Sequence, residues 1–385
     1  MNRFLIINSS FRRVGGQERA NHALASYLAR QRAEVHLAGY EFPPDLADHP
    51  GVRLHPIRWI GRSYLLNEPR IRRIGARIAR RFLRDGPGRI IANGANCPTT
   101  DTVWVHYVHA AWDQPPPPGL SLRSLKQRIA RRLYLRYERD SLPRARLLVA
   151  NSQATQAALA AHLAIPSDRI RVARIGLDPA EFRPAAPEQR SPLRSKLDLP
   201  ADRPLAGFVG ALGDSRKGFD RLFDAWQQLC VDVGFKADLI VLGSGADLPQ
   251  WKQRARERGI DQRIRFLGHR LDVAQIVPLL DLLIAPARYE PFGMAVQEAL
   301  ACHVPALTSA EAGVAELYPA ESAELLISQQ ASTQDFADRI RRMLDHPDHA
   351  RALAAPAARA ARAYTWDCMA ADIVRAMEQF PPSAC

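Results

Sequence analysis

Twice along its length this chain runs from a short apolar strand through a glycine-bearing loop into a helical pattern, and that repeated unit leaves few folds open. The first copy is the strand 4–8, a loop to Gly15 and Gly16, and a helix over 18–30, followed by a strand at 34–38. The second is the strand 204–209, a loop over 210–218, a helix over 219–230, and the strand run 238–245. Strands that alternate with helices predict right-handed βαβ crossovers, and hence an α/β chain with two doubly wound parallel sheets. In such sheets the loop after each strand lies where helix N–H groups gather anions.

The length agrees, since 385 residues exceed the roughly 100 to 200 of one ordinary domain. The net charge of +13 is also divided. Residues 1–183 carry 30 Lys and Arg against 14 Asp and Glu, and 184–385 carry 23 against 26, giving +16 and −3. This step falls at the Pro-rich stretch 183–192, which reads as a domain boundary. With 47% hydrophobic and 24% charged residues the chain reads as soluble and globular. No apolar run approaches the roughly 18 to 20 residues of a membrane span, and the first apolar run is too short for a signal peptide. The five cysteines, Cys97, Cys230, Cys302, Cys368 and Cys385, are scattered and never spaced C-x-x-C. That supports neither a disulfide framework nor a zinc site, and a cytoplasmic setting is expected.

The chemistry concentrates in 282–301. A buried strand at 282–286 leads to Glu290, Pro291, Phe292, Gly293 and Met294, where a helix starts, and Glu298 follows eight positions after Glu290. The helix mouth suits phosphate or carboxylate. Carboxylates beside it would repel that anion, so Glu290 and Glu298 are read as accepting hydrogen bonds from hydroxyls flanking it, as on a sugar and a ribose. Arg216 and Lys217 precede the helix 219–230, where cations are unfavourable unless an anion joins them. A nucleotide-diphosphate sugar meets all of these demands.

The segment resembles the E-x7-E motif of retaining glycosyltransferases of the GT-B fold, in particular glycosyltransferase family four (group 1). That resemblance implies two Rossmann-like domains facing across a cleft. Residues 1–183 would form the acceptor side, with a C-terminal helix of about 364–385 packing back on it, and 193–363 would bind the nucleotide sugar. It implies that Glu290 holds the donor hexose, that Glu298 holds the ribose, and that the backbone over 291–294 meets sugar and diphosphate. Gly15 and Gly16 resemble the glycine-rich loop under the donor phosphate. Gly210 and Lys217 match the family's loop after the first strand of the second domain, but Ala211 stands at its usual Arg, so Arg216 would supply the second charge. His269 and Arg270 fall in the loop that faces the base. A histidine at the end of the strand 102–112 would contact the sugar near the reacting carbon. His109, in a Tyr-Val-His setting, matches better than His106, and both stay open. His303 stands where the family usually has Gly, which the backbone tolerates if φ is negative there.

The resemblance further implies retention, with the leaving phosphate taking the acceptor proton. Neither a cofactor nor a metal is expected, because Arg216, Lys217 and the helix mouth can stabilise the leaving diphosphate and no convincing D-x-D element is present. Glu18 and Asp113 are the only base candidates in the first half.

Two arginine-rich amphipathic helices, over 58–84 and 124–139, give the basic half its character. Ile71, Ile74, Ile78 and Phe82 form the apolar stripe of the first, and Leu125, Ile129, Leu133, Tyr134 and Tyr137 that of the second. Both stripes read as core-facing. Their arginines suit anionic lipid headgroups, so a glycan or lipid-linked acceptor and a peripheral place on the inner face of the cell membrane are expected. Nucleic acid is the competing polyanion, and no nucleic-acid module is recognisable. Two other classes stay open: a non-catalytic sugar-nucleotide or lipid-surface binding protein, which donor hydrolysis would separate from an enzyme, and a phosphorolytic enzyme, for which no pyridoxal-bearing Lys is evident.

Overall fold

The computed structural model describes residues 2–61, 63–99, 101–113 and 122–380. The chain divides into two compact units, Met1–Gly176 with Trp366–Cys385, and Leu177–Thr365.

The first unit holds β1 (Arg3–Ile7), β2 (Glu34–Gly39), β3 (Val52–Pro56), β4 (Arg89–Asn93), β5 (Thr102–Val105), β6 (Leu147–Ala150) and β7 (Ile170–Val172). They form one parallel sheet in the order β3-β2-β1-β4-β5-β6-β7. The order reverses between β1 and β4, which opens a crevice at their carboxyl ends. β4, β5 and β6 are buried throughout, as strands covered by helices on both faces must be.

The strand expected over 102–112 stops at Val105, and His109–Ala111 is a short 3-10 turn. Beyond Val105 the ladder ends because its partner β6 ends, and the Asn151 side-chain amide takes the His106 carbonyl at 3.2 Å instead. The adjoining loop expected over 113–119 lies outside the described residues after Asp113.

The helix Tyr64–Arg84 buries Ile71 and Phe82 of its expected stripe, while Ile74 and Ile78 are half-buried against the core and Ala79 is buried beside them. Gly75 lets it close on β1, where a Cβ would lie 3.1 Å from Ile7 Cγ2. The helix Leu122–Ser141 departs from expectation, because Leu125 and Ile129 are exposed. Its C-terminal half makes the packing: Arg72 stacks 4.5 Å over Tyr137 and pairs with Asp140. The closing helix Trp366–Glu378 is held by buried Arg89, which pairs with Asp101 at 2.9 Å and donates to the Met377 carbonyl at 2.5 Å.

The second unit holds β8 (Leu205–Val209), β9 (Asp238–Leu242), β10 (Ile264–Gly268), β11 (Leu282–Ala285), β12 (Ala306–Ser309) and β13 (Leu326–Ile327). These are parallel in the order β10-β9-β8-β11-β12-β13, with the switch point between β8 and β11. Much of the Pro-rich stretch 183–192 is helical here, within Pro187–Lys196. Buried Arg194 ties it to the unit, pairing with Asp281 at 2.7 Å and donating to the Leu279 carbonyl, so the division falls earlier, at Gly176 and Leu177.

Candidate active site

The loops after β8 and β11 meet at the switch point of the second unit. Gly218 (φ 70°) allows their contact, since a Cβ there would lie 2.0 Å from the Pro286 carbonyl oxygen. The Arg288 N–H donates to the Arg216 carbonyl at 2.7 Å, and the Arg216 guanidinium returns a bond to the Tyr289 carbonyl at 2.9 Å. Gly243 plays the same part on the other side, where a Cβ would lie 1.8 Å from the Gly210 carbonyl oxygen.

This stitching brings three charges together. Lys217 Nζ lies 2.5 Å from Glu290 Oε2, and an Arg216 guanidinium nitrogen lies 3.7 Å from the same oxygen. Arg216 is itself held by Asp214, through Oδ2 at 3.1 Å, and Asp214 Oδ1 caps the turn by accepting from the Arg216 N–H. Burial alone would raise Glu290, but Lys217 and Arg216 outweigh it and hold the carboxyl below its ordinary range.

Glu290 sits on a loop fastened from above, its carbonyl accepting from the Gly313 N–H at 2.9 Å and that of Phe292 from the Val314 N–H at 2.6 Å. Pro291 and Phe292 are buried. Gly293 (φ 116°) starts the helix Met294–Ala301, on which Glu298 is 8% exposed. His303 closes that helix. Its N–H reaches the Leu300 carbonyl and the Val304 N–H reaches Ala299, a Schellman arrangement that puts His303 at φ 58°. The condition for a residue other than glycine at 303, a negative φ, is therefore not met. Of the pair expected to face the base, His269 is exposed, and Arg270 is forked onto Asp272 at 2.8 and 2.5 Å.

In the first unit, Gly15 (φ 89°) caps the helix Gly16–Arg30 at the end of β1. Beneath it lies a buried carboxamide network, in which Asn21 and Asn93 exchange two bonds at 2.8 and 2.7 Å, and Gln17 donates to Asn8 at 2.8 Å. His106 Nε2 joins it through Asn93 Oδ1 at 3.1 Å. His109 instead stacks on Tyr134, with centroids 4.7 Å apart and planes 10° off parallel. Burial lowers both histidines, His106 to about 3 and His109, with help from Arg131, to about 4, so both rings are neutral at pH 7.

Two family models cover most of the chain: that of Glycosyltransferase Family 4 matches 14–181 and that of Glycosyl transferases group 1 matches 189–360. The chain belongs to these glycosyltransferases. A D-inositol 3-phosphate glycosyltransferase of Saccharomonospora viridis is 30% identical over 209 residues, 52% of this chain and 47% of that protein. The chain thus spans about half the length of the curated relatives it matches first. Among solved structures, WaaG, a glycosyltransferase involved in lipopolysaccharide biosynthesis, has a TM-score of 0.76 at 21% identity, covering 97% of this chain and 98% of WaaG. HepE of Anabaena, solved with UDP and glucose, has a TM-score of 0.69 at 20% identity, covering 98% of this chain and 100% of HepE. These likenesses show the GT-B fold.

In this glycosyltransferase several site neighbours had no signal in the sequence. Glu138, 2% exposed, accepts from the His109 and Ala110 N–H groups. Asp220 forks onto Arg288 at 2.7 and 2.5 Å and so braces the Arg216 loop. Asp113, one of the base candidates, is fully exposed and paired with Arg131 at 3.1 Å.

Proposed function

We propose that this glycosyltransferase moves a hexose-type sugar from a nucleotide-diphosphate donor to a hydroxyl of a glycan or lipid-linked acceptor, retaining the anomeric configuration without a metal or other cofactor. The observation that carries it is Lys217 and Arg216 gathered on Glu290 at the switch point, beside the mouth of the helix Met294–Ala301. Two cations held there at the end of parallel strands suit a diphosphate and can stabilise charge as it develops on the leaving group. Glu290 then accepts from the sugar hydroxyls and Glu298 from the ribose, with 291–294, Gly210, His269 and Arg270 lining the donor, and the resemblance to the family assigns Gly15 and Gly16 to its phosphate. His109, neutral, steadies the sugar. The UDP and glucose bound to HepE support a donor of this class.

The acceptor reading rests on a different observation. Trp59 and Ile60 before one arginine-rich helix, Tyr64 and Leu66 in its first turn, and Leu125 and Ile129 early on the other, are all exposed. Apolar side chains amid arginines suit an anionic membrane surface, where a lipid-linked acceptor would be met. The part of WaaG in lipopolysaccharide biosynthesis supports an acceptor of this kind. No helix among the described residues is long and apolar enough to cross a membrane.

A thermal-shift panel of UDP-, GDP- and ADP-sugars tests the donor class. One nucleotide series should raise the melting temperature of the native chain and do so far less in Lys217→Ala. No shift with any nucleotide sugar would overturn the reading.

A further inference from the structure

The turn His109–Ala111 has no side-chain cap of its own at its start. One distant carboxylate takes its first two N–H groups instead: His109 donates to Glu138 Oε1 at 2.5 Å and Ala110 to Oε2 at 3.0 Å. This fork fixes two consecutive peptide planes, and hence the backbone that carries His109. Tyr134, whose ring stacks on the His109 imidazole, stands one turn before Glu138 on the helix Leu122–Ser141. Residues four apart share a helix face, so a single face grips both the backbone and the ring of His109. An inward carboxylate on a helix otherwise crowded with arginine is costly to bury, and two charge-assisted bonds to one turn are what it gains.

We propose that Glu138 is a positioning residue for sugar transfer, holding the His109 turn so that the imidazole stands where it meets the donor sugar. This rests on the assignment of His109 to the donor sugar above.

A pH dependence follows from the same contacts. Burial pushes Glu138 up to about 7, against the pull of its two N–H bonds and of Arg139. The titratable and charged groups around this fork are Arg139, Arg131 and Tyr134 on its own helix, Tyr107 just before the turn and His109 on it, and Glu68 and Tyr64 on the helix Tyr64–Arg84, which act on Tyr134. His109 is already neutral well below this range, so Glu138 is the member of the fork that changes charge near pH 7. Protonation makes one of its oxygens a hydroxyl facing an N–H, and one of the two bonds is lost.

The test is Glu138→Gln, which keeps the size but turns an amide NH2 toward a backbone N–H. Thermal melting checks that it folds. The expected result is a fall in kcat of roughly tenfold or more with the donor KM within about twofold, and loss of the acid limb expected of native kcat near pH 7. In protein labelled with 15N-histidine, the His109 amide should titrate near pH 7 in the native chain and stay still in the variant. Glu138→Asp, which keeps the charge, should restore part of the acid limb. A folded Glu138→Gln with native kcat, or with its acid limb unmoved, would overturn the proposal. His109→Ala is assayed in parallel: if it transfers at the native rate, the assignment of His109 fails and the link to turnover with it, while the amide titration still reports on the fork itself.

Discussion

Lys217 Nζ stands 2.5 Å from Glu290 Oε2, although 73 positions separate the two residues in the chain. The contact joins the loops after β8 and β11, and it keeps a carboxylate ionised where burial would favour its neutral form.

Removing the cation should reverse that balance. Lys217→Ala is expected to lower kcat tenfold to a hundredfold, as loss of about 1.5 to 3 kcal/mol of charged hydrogen bonding would. It should also destabilise the unliganded chain. The folded Glu290 lies below its ordinary value, so its contribution to stability is present above pH 4.5 and fades as pH falls through the folded value. The stability gap between native chain and variant should therefore be widest at neutral pH and narrow on acidification, as urea unfolding at several pH values would show.

Glu298→Ala and Glu290→Ala should fail differently. Loss of a ribose contact at Glu298 is expected to weaken nucleotide binding roughly tenfold to a hundredfold, whereas Glu290→Ala should mainly cut turnover. Calorimetric titration of the nucleotide separates the two, and unchanged affinity in a folded Glu298→Ala would remove Glu298 from the site.

Vesicle binding should track both charge and apolar exposure. Anionic vesicles are expected to retain the chain at low salt and release it near molar salt, where screening shortens to about 3 Å. Trp59→Ser with Leu66→Ser should weaken retention at every salt concentration. Equal partitioning onto neutral and anionic vesicles would contradict the membrane role.

His303→Gly should stabilise. A left-handed φ of 58° strains a residue with a Cβ, and glycine removes that strain at the cost of a looser unfolded chain. A net gain of up to about 1 kcal/mol corresponds to roughly 2 to 4 °C in melting temperature for a unit of this size. A lower melting temperature would show that the His303 side chain contributes more than its backbone costs.

Both sheets and the loops at their carboxyl ends could be read from the sequence, because strand, glycine and helix recur at local spacing in each half. Lys217 and Glu290 were each marked by chemistry beside a helix start, although their contact is a product of the strand order. Glu138 was invisible for the opposite reason. Within Arg136–Arg139 it is one carboxylate among cations, and only the packing of its helix turns it onto the His109 turn. Leu125 and Ile129 misled because helical spacing says which residues share a face and not whether another element covers it. Asp220 and Arg288, 68 positions apart, carry no local signature at all.

The most direct measurement is the transfer reaction run in excess chelator, with the anomeric configuration of the new linkage determined by NMR. Transfer should proceed at its usual rate, and the linkage should keep the configuration of the donor. An inverted linkage, or activity that vanishes with chelator and returns with magnesium or manganese, would contradict a leaving diphosphate stabilised by Arg216, Lys217 and the helix mouth at Gly293.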